Sequence, residues 1–159
     1  MYQDYKDLLS AFHAHGVRYL IVGGYAVIFH AQPRFTRDID LFIKADPANA
    51  RATYAALAAF GAPLDGVRPE EFADPGNFFR FGSDPHGFDI LPDIPGVDFE
   101  AAWGRRVEGV IDPASSLKAY FISAPDLIAS KLAAGRPQDL ADAEAIQKAA
   151  EARSGHPDQ

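Results

Sequence analysis

Residues 22–43 read VGGYAVIFHAQPRFTRDIDLFI, and the fold turns on this stretch. Val17 to Val22 is a short β-branched and aromatic run, which reads as a buried strand. It ends in Gly23 and Gly24, after which Ala26 to His30 reads as a short helix closed by Pro33. Glycine lets the backbone approach a bulky anion closely, and a helix start offers unpaired N–H groups to phosphate oxygens. Taken alone, a glycine pair after a strand is more often just a tight turn. The run from Asp38 to Lys44 reads as the next strand. Residues i and i+2 of a strand share a face, so Asp38 and Asp40 stand side by side. Ile39, Leu41, Phe42 and Ile43 imply that this strand is largely buried. Two neighbouring carboxylates repel, and burying them unpaired is costly. A hard divalent cation such as Mg²⁺ relieves that conflict through oxygen ligands. The alternative is a strand edge whose acids face water.

Outward from this stretch, the chain alternates helices and strands. Tyr5, Leu8, Leu9 and Phe12 recur at helical spacing, which predicts a helix over about 2–15 stopped by Gly16. Asp46 and Pro47 form an N-cap and first helical residue, and the Ala-rich helix that follows ends at Gly61. Residues 62–76 read as a loop. Asn77 to Gly82 and Phe88 to Leu91 flank a turn at 84–87 and suggest a hairpin. One or two helical turns are expected at 98–103 and strands at 106–111 and 118–122. Ser123, Pro125 and Asp126 mark another helix start. That helix runs to about Ala134, and after Gly135 a last one runs from Pro137 to about Glu151. The fold class is α/β: a mixed β-sheet core flanked by helices, with a C-terminal helical hairpin. Residues 1–152 read as a single domain and 153–159 as a flexible polar tail.

Composition narrows the function. The chain has 159 residues, 48% of them apolar and 12% aromatic, enough for one sizeable core. A net charge of −7 argues against coating nucleic acid by bulk charge. The absence of cysteine excludes disulfides, thiol nucleophiles and Cys-ligated metals, and fits a cytoplasmic location. The N-terminus has no apolar signal core, and no apolar run approaches the ~20 residues that span a bilayer. His13 and His15 face different directions on their helix, while His30 and His86 read as structural or exposed. Trp103 and the phenylalanines read as core packing rather than as a base-stacking platform.

A third carboxylate would complete a two-metal site. Asp89, in Gly87-Phe-Asp-Ile-Leu91, sits on an apolar strand and is the best candidate. Asp93 and Asp98 fit better as turn and cap residues, and Asp84 carries no role. Lys131 is a plausible phosphate contact, and the helical hairpin could bring Asp139 to it; Asp142 has a weaker claim. Alternatively, Lys131 is a solvated helix lysine and Asp139 a first-turn acid favoured by the helix dipole. Arg34, Arg37, Arg105, Arg106 and Arg136 could supply a positive rim, with Arg34 and Arg37 nearest the acids.

Taken together, the glycine pair, Asp38-Ile39-Asp40 and the later strand aspartate resemble the DNA polymerase beta-like nucleotidyltransferase superfamily. The resemblance is closest to the abortive-infection, type IV toxin-like branch. It rests on Arg34-Phe-Thr-Arg37 before the acids, and on Lys131 followed by Arg136-Pro-Gln-Asp139-Leu-Ala-Asp142. It spans most of residues 17–150. The resemblance implies a metal-dependent transfer of NMP from an NTP such as ATP, with pyrophosphate release, to an acceptor hydroxyl on a tRNA 3′ end, a protein or a small molecule. It implies that Asp38, Asp40 and Asp89 are the catalytic and Mg²⁺-binding acids, with Mn²⁺ able to replace Mg²⁺. Gly23, Gly24, Arg37, Lys131 and Asp139 would then bind the nucleotide. The chain is short for the toxin-like branch, so a partner protein from a two-gene toxin–antitoxin-type module could supply missing surface. The competing reading is a non-catalytic nucleotide- or partner-binding subunit of such a module.

Overall fold

The computed structural model describes residues 1–82 and 86–155. The turn residue Asp84 and the last four residues of the expected tail lie outside that range. The strands are β1 (Tyr19–Val22), β2 (Ile39–Ile43), β3 (Phe79–Phe81), β4 (Phe88–Leu91), β5 (Val107–Asp112) and β6 (Leu117–Phe121). They form one mixed sheet in the order β3-β4-β2-β1-β6-β5. β2 runs antiparallel to β1 and parallel to β4, while β1 runs parallel to β6. The expected α/β class with a mixed sheet and flanking helices is therefore what the chain forms. β3 and β4 pair antiparallel, as the anticipated hairpin requires.

Alternation along the strands divides the core into two layers. Tyr19, Ile21, Ile39, Leu41 and Ile43 pack with Leu8, Leu9 and Phe12 of α1 (Gln3–Ala14) and Leu57 of α3 (Pro47–Phe60). Leu20, Val22 and Phe42 face the other way. They meet Ala26 and Val27 of α2 (Gly23–His30), Phe99 and Ala102 of α4 (Phe99–Gly104), Leu127 of α5 (Ala124–Ala134) and Ile146 of α6 (Pro137–Ser154). Asp40 falls in the same alternation class as Phe42, and Asp89 in that of Leu91. Both acids thus belong to the face covered by α2, α5 and α6.

The helix boundaries follow local chemistry. The Asp46 side chain accepts from the Asn49 N–H at 2.7 Å, and Gly61 closes α3 with φ +99°. The Ser123 hydroxyl caps α5, accepting from the Asp126 N–H, and Gly135 ends that helix with φ +71°. Two boundaries differ from the sequence expectation. α2 begins at Gly23 rather than Ala26, because the glycine pair itself forms the first turn, entered through the left-handed φ of +68° at Gly23. α6 continues to Ser154, past the expected end near Glu151, since no helix breaker precedes Gly155. The presumed loop at 62–76 holds a short 3-10 turn at Pro69–Ala73, whose Phe72 is fully buried in the core. No described helix is long and apolar enough to cross a membrane.

Candidate active site

Asp40 and Asp89 are direct register partners on the adjacent parallel strands β2 and β4. Asp38 immediately precedes β2. The apolar core stops at this end of the sheet, and a cleft of about 820 Å³ opens between the strand ends, α2 and the α5–α6 hairpin. Its lining includes Gly23, Gly24, Arg37, Asp38, Asp40, Asp89, Lys131 and Asp139, so the expected metal-binding and nucleotide-binding residues line one cavity. Arg34 and Arg136 line it as well.

The two glycines make room for the protein's own side chains. A Cβ on Gly23 would lie 2.0 Å from Asp40 Oδ2, and one on Gly24 would lie 2.4 Å from Thr36 Oγ1. The carboxylate of Asp40 therefore packs against the start of α2. No side chain caps that helix start, where Val22 is the N-cap residue.

Asp40 lies in an electrostatically unfavourable place. Burial pushes its carboxyl up to about 8, assisted by its contact with Asp89 and the charge of Asp38; the Lys131 ammonium pulls it down. Asp38 Oδ1 is buried and has no hydrogen-bond partner. On the solvent side, the Arg80 guanidinium reaches Asp89 Oδ1 at 3.0 Å and Asp38 Oδ2 at 2.8 Å. With that guanidinium in place, the described residues gather no group of three acids or histidines in metal-binding geometry. The donor set nevertheless suits a hard divalent cation. It has oxygen ligands only, one of them orphaned in the interior, and one carboxyl pushed up chiefly by burial and then by its acidic neighbours.

Across the cleft, Lys131 of α5 is held by two acids of α6. Its Nζ lies 3.1 Å from Asp142 Oδ2 and 3.5 Å from Asp139 Oδ1, and its side chain is 13% exposed. The hairpin thus brings Lys131 and Asp139 together, and it includes Asp142. Burial pushes the Asp142 carboxyl up, but hydrogen bonds from Arg34 and Gln138, together with the ion pair to Lys131, outweigh this and hold it below its ordinary value. The Arg136 guanidinium does the same for Asp139, aided by Lys131. Arg34 and Arg136 are consequently paired, with N···O distances of 2.5 and 2.7 Å, rather than presented bare to a ligand.

Several expected rim groups lie elsewhere. Arg105 is engaged by Asp126 at 2.8 Å, and Arg106 stacks on Trp103 with its guanidinium 4.0 Å from the ring centroid. Each is drawn to a nearer partner outside the cleft. Asp98 caps α4 through the Ala101 N–H, and Asp93 is exposed outside the cleft lining. His30 is buried against the Ile122 carbonyl at 2.6 Å, a structural role as expected. The phenylalanines are not uniformly core residues. Phe35 is 79% exposed on the cleft, because it lies in the α2–β2 connection beyond reach of either apolar layer.

Sequence reasoning missed Arg80 and Tyr5. Arg80 stands opposite Asp89 on β3, a position that could be found only once the β3–β4 register is known. The buried Tyr5 hydroxyl of α1 lies 2.7 Å from the Arg37 carbonyl and 2.6 Å from the Gly87 carbonyl. It donates its proton to one of them at a time, and so anchors the segments leading into Asp38 and Asp89.

Among solved structures, the chain resembles the lincomycin-bound lincosamide antibiotic adenylyltransferase LnuA. That similarity has a TM-score of 0.56 at 17% identity, over 92% of this chain and 96% of that one. At this identity the likeness concerns the fold. No curated protein matches the sequence. Residues 3–151 match the family described as nucleotidyltransferase of unknown function (DUF6036). Nearly the whole chain, cleft included, thus lies within one family, and the protein belongs to these nucleotidyltransferases.

Proposed function

We propose that this chain transfers a nucleoside monophosphate from an NTP to an acceptor hydroxyl, with release of pyrophosphate. The observation that carries the reading is the register pairing of Asp40 with Asp89 beside the orphaned oxygen of Asp38, facing Lys131 across the cleft. In this reading Asp38, Asp40 and Asp89 hold Mg²⁺, or Mn²⁺ in its place. Bound there, divalent ions supply charge neutralisation at the α-phosphate and leaving group and acidify the attacking hydroxyl. Asp89 receives the acceptor's proton. The N–H groups of Gly23 and Gly24 at the start of α2 cradle the triphosphate. Lys131, fixed by Asp139 and Asp142, offsets its negative charge, and Arg37 contributes from the rim. Positioning and electrostatics do the work, without a covalent intermediate on the protein.

The acceptor is best read as a small molecule. The cleft is of small-ligand size. Arg34 and Arg136 are already neutralised by Asp142 and Asp139, and the chain carries a net charge of −7. These features leave little free positive surface to follow an RNA backbone. The toxin-like placement, with a tRNA 3′ end as acceptor and a partner protein, rests on the segment from Lys131 to Asp142 and is the second reading. We place the enzyme in the cytoplasm on its lack of cysteine.

Incubation with each α-³²P-labelled NTP and Mg²⁺ tests the proposal, in the presence of tRNA, lysate protein or a small-molecule extract. Label should move to an acceptor with the wild-type chain and fall by about 10³-fold or more in Asp38→Ala/Asp40→Ala. The labelled species identifies the acceptor class. Absence of both transfer and NTP binding would overturn the reading.

A further inference from the structure

Arg80 occupies the acid cluster in a way its place on an edge strand does not require. Its Nη1 lies 3.0 and 3.3 Å from the two oxygens of Asp89, and its Nη2 lies 2.8 Å from Asp38 Oδ2. One guanidinium therefore spans acids from two separate segments, a geometry that suits its planar fork. Gly87 permits the close approach. A Cβ there would lie 3.1 Å from Asp38 Oδ1 and 3.4 Å from Arg80 Nη2.

The three side chains differ in their freedom to leave. Arg80 is 43% exposed, Asp38 24% and Asp89 13%. The acids project from the buried part of the sheet, whereas the arginine reaches in from solvent. A guanidinium and a divalent ion compete for the negative charge of the same carboxylates, and two cations at that separation repel.

We propose that Arg80 is a resident counter-cation of the cluster: it holds Asp38 and Asp89 in the metal-free protein and must withdraw before a divalent ion can bind there. This inference rests on the assignment of Asp38, Asp40 and Asp89 as metal ligands. It makes Arg80 a determinant of metal affinity. The arginine stabilises the metal-free acids by partly neutralising them, and thereby raises the ion concentration needed to load the site. A purely structural arginine would affect stability alone.

Calorimetric titration of the nucleotide-free protein with Mn²⁺ tests this in the wild type, Arg80→Ala and Arg80→Gln, the glutamine keeping most of the bulk without the charge. Both variants should bind Mn²⁺ about tenfold more tightly than the wild type, and should melt at lower temperature without metal. Binding by the variants alone would support the same conclusion. Equal or weaker binding in both folded variants would overturn the role of Arg80 while leaving the metal site standing. No Mn²⁺ binding by any of the three would overturn the metal assignment, and the Arg80 role with it.

Discussion

Asp40→Asn is expected to abolish nucleotidyl transfer, by about 10³-fold or more, while making the metal-free protein more stable at neutral and alkaline pH. The two effects share one cause. Asp40 is buried beside Asp89 and Asp38, and its carboxyl is pushed up to about 8 from an ordinary 3.8. Between those values the unfolded chain releases this proton and the folded chain keeps it. Stability is therefore fully present below about 3.8 and declines as pH rises towards 8. The slope approaches ~1.4 kcal/mol per pH unit where the difference is complete. Asparagine cannot ionise, so this decline should be absent, and at pH 8 the variant should be the more stable protein. Urea unfolding from pH 5 to 9 without metal measures it. Parallel curves for the two proteins would show that Asp40 carries no such strain.

Gly23→Ala has the second large effect. The residue has φ +68°, a conformation that costs an alanine roughly 1–2 kcal/mol, and the new methyl would lie 2.0 Å from Asp40 Oδ2. Loss of about 2–4 kcal/mol is expected, with displacement of Asp40 and loss of transfer. Gly61→Ala is the internal control, because Gly61 has φ +99° and a methyl there meets nothing within 4 Å. It should show only the conformational cost. In an Asp40→Ala background the crowding part of the Gly23→Ala cost should largely disappear, which a double-mutant cycle reads directly. Equal costs for the two glycine substitutions would mean that Gly23 is needed for its φ alone.

The large elements were legible because their signals are local. Asp46 before Pro47 and Ser123 before Pro125 cap helices where they stand, and the short apolar runs of β1 and β2 needed no tertiary knowledge. The acids were legible for a related reason: a carboxylate among Ile39, Leu41 and Phe42 conflicts with its surroundings, and such conflict marks a site. The fine structure of the site was hidden because it depends on strand register. Arg80 lies in the three-residue strand Phe79–Phe81, and nothing local aims it at Asp89. Gly23 and Gly24 suggested space for a phosphate. The space each provides in the fold is first for Asp40 and Thr36, partners far along the chain. The partners of Arg105 and Arg106 were hidden for the same reason, since Asp126 and Trp103 claim them in space.

The central claim is that the carboxylates at the strand ends form a metal and triphosphate site. A crystal structure with Mn²⁺ and a non-hydrolysable α,β-imido NTP tests it most directly, read by the anomalous signal of manganese. The account predicts anomalous density bonded to Asp38 and Asp40, the triphosphate over the start of α2 and against Lys131, and Arg80 withdrawn from the acids. Manganese or nucleotide bound elsewhere at saturating concentration, with Arg80 still spanning Asp38 and Asp89, would contradict it.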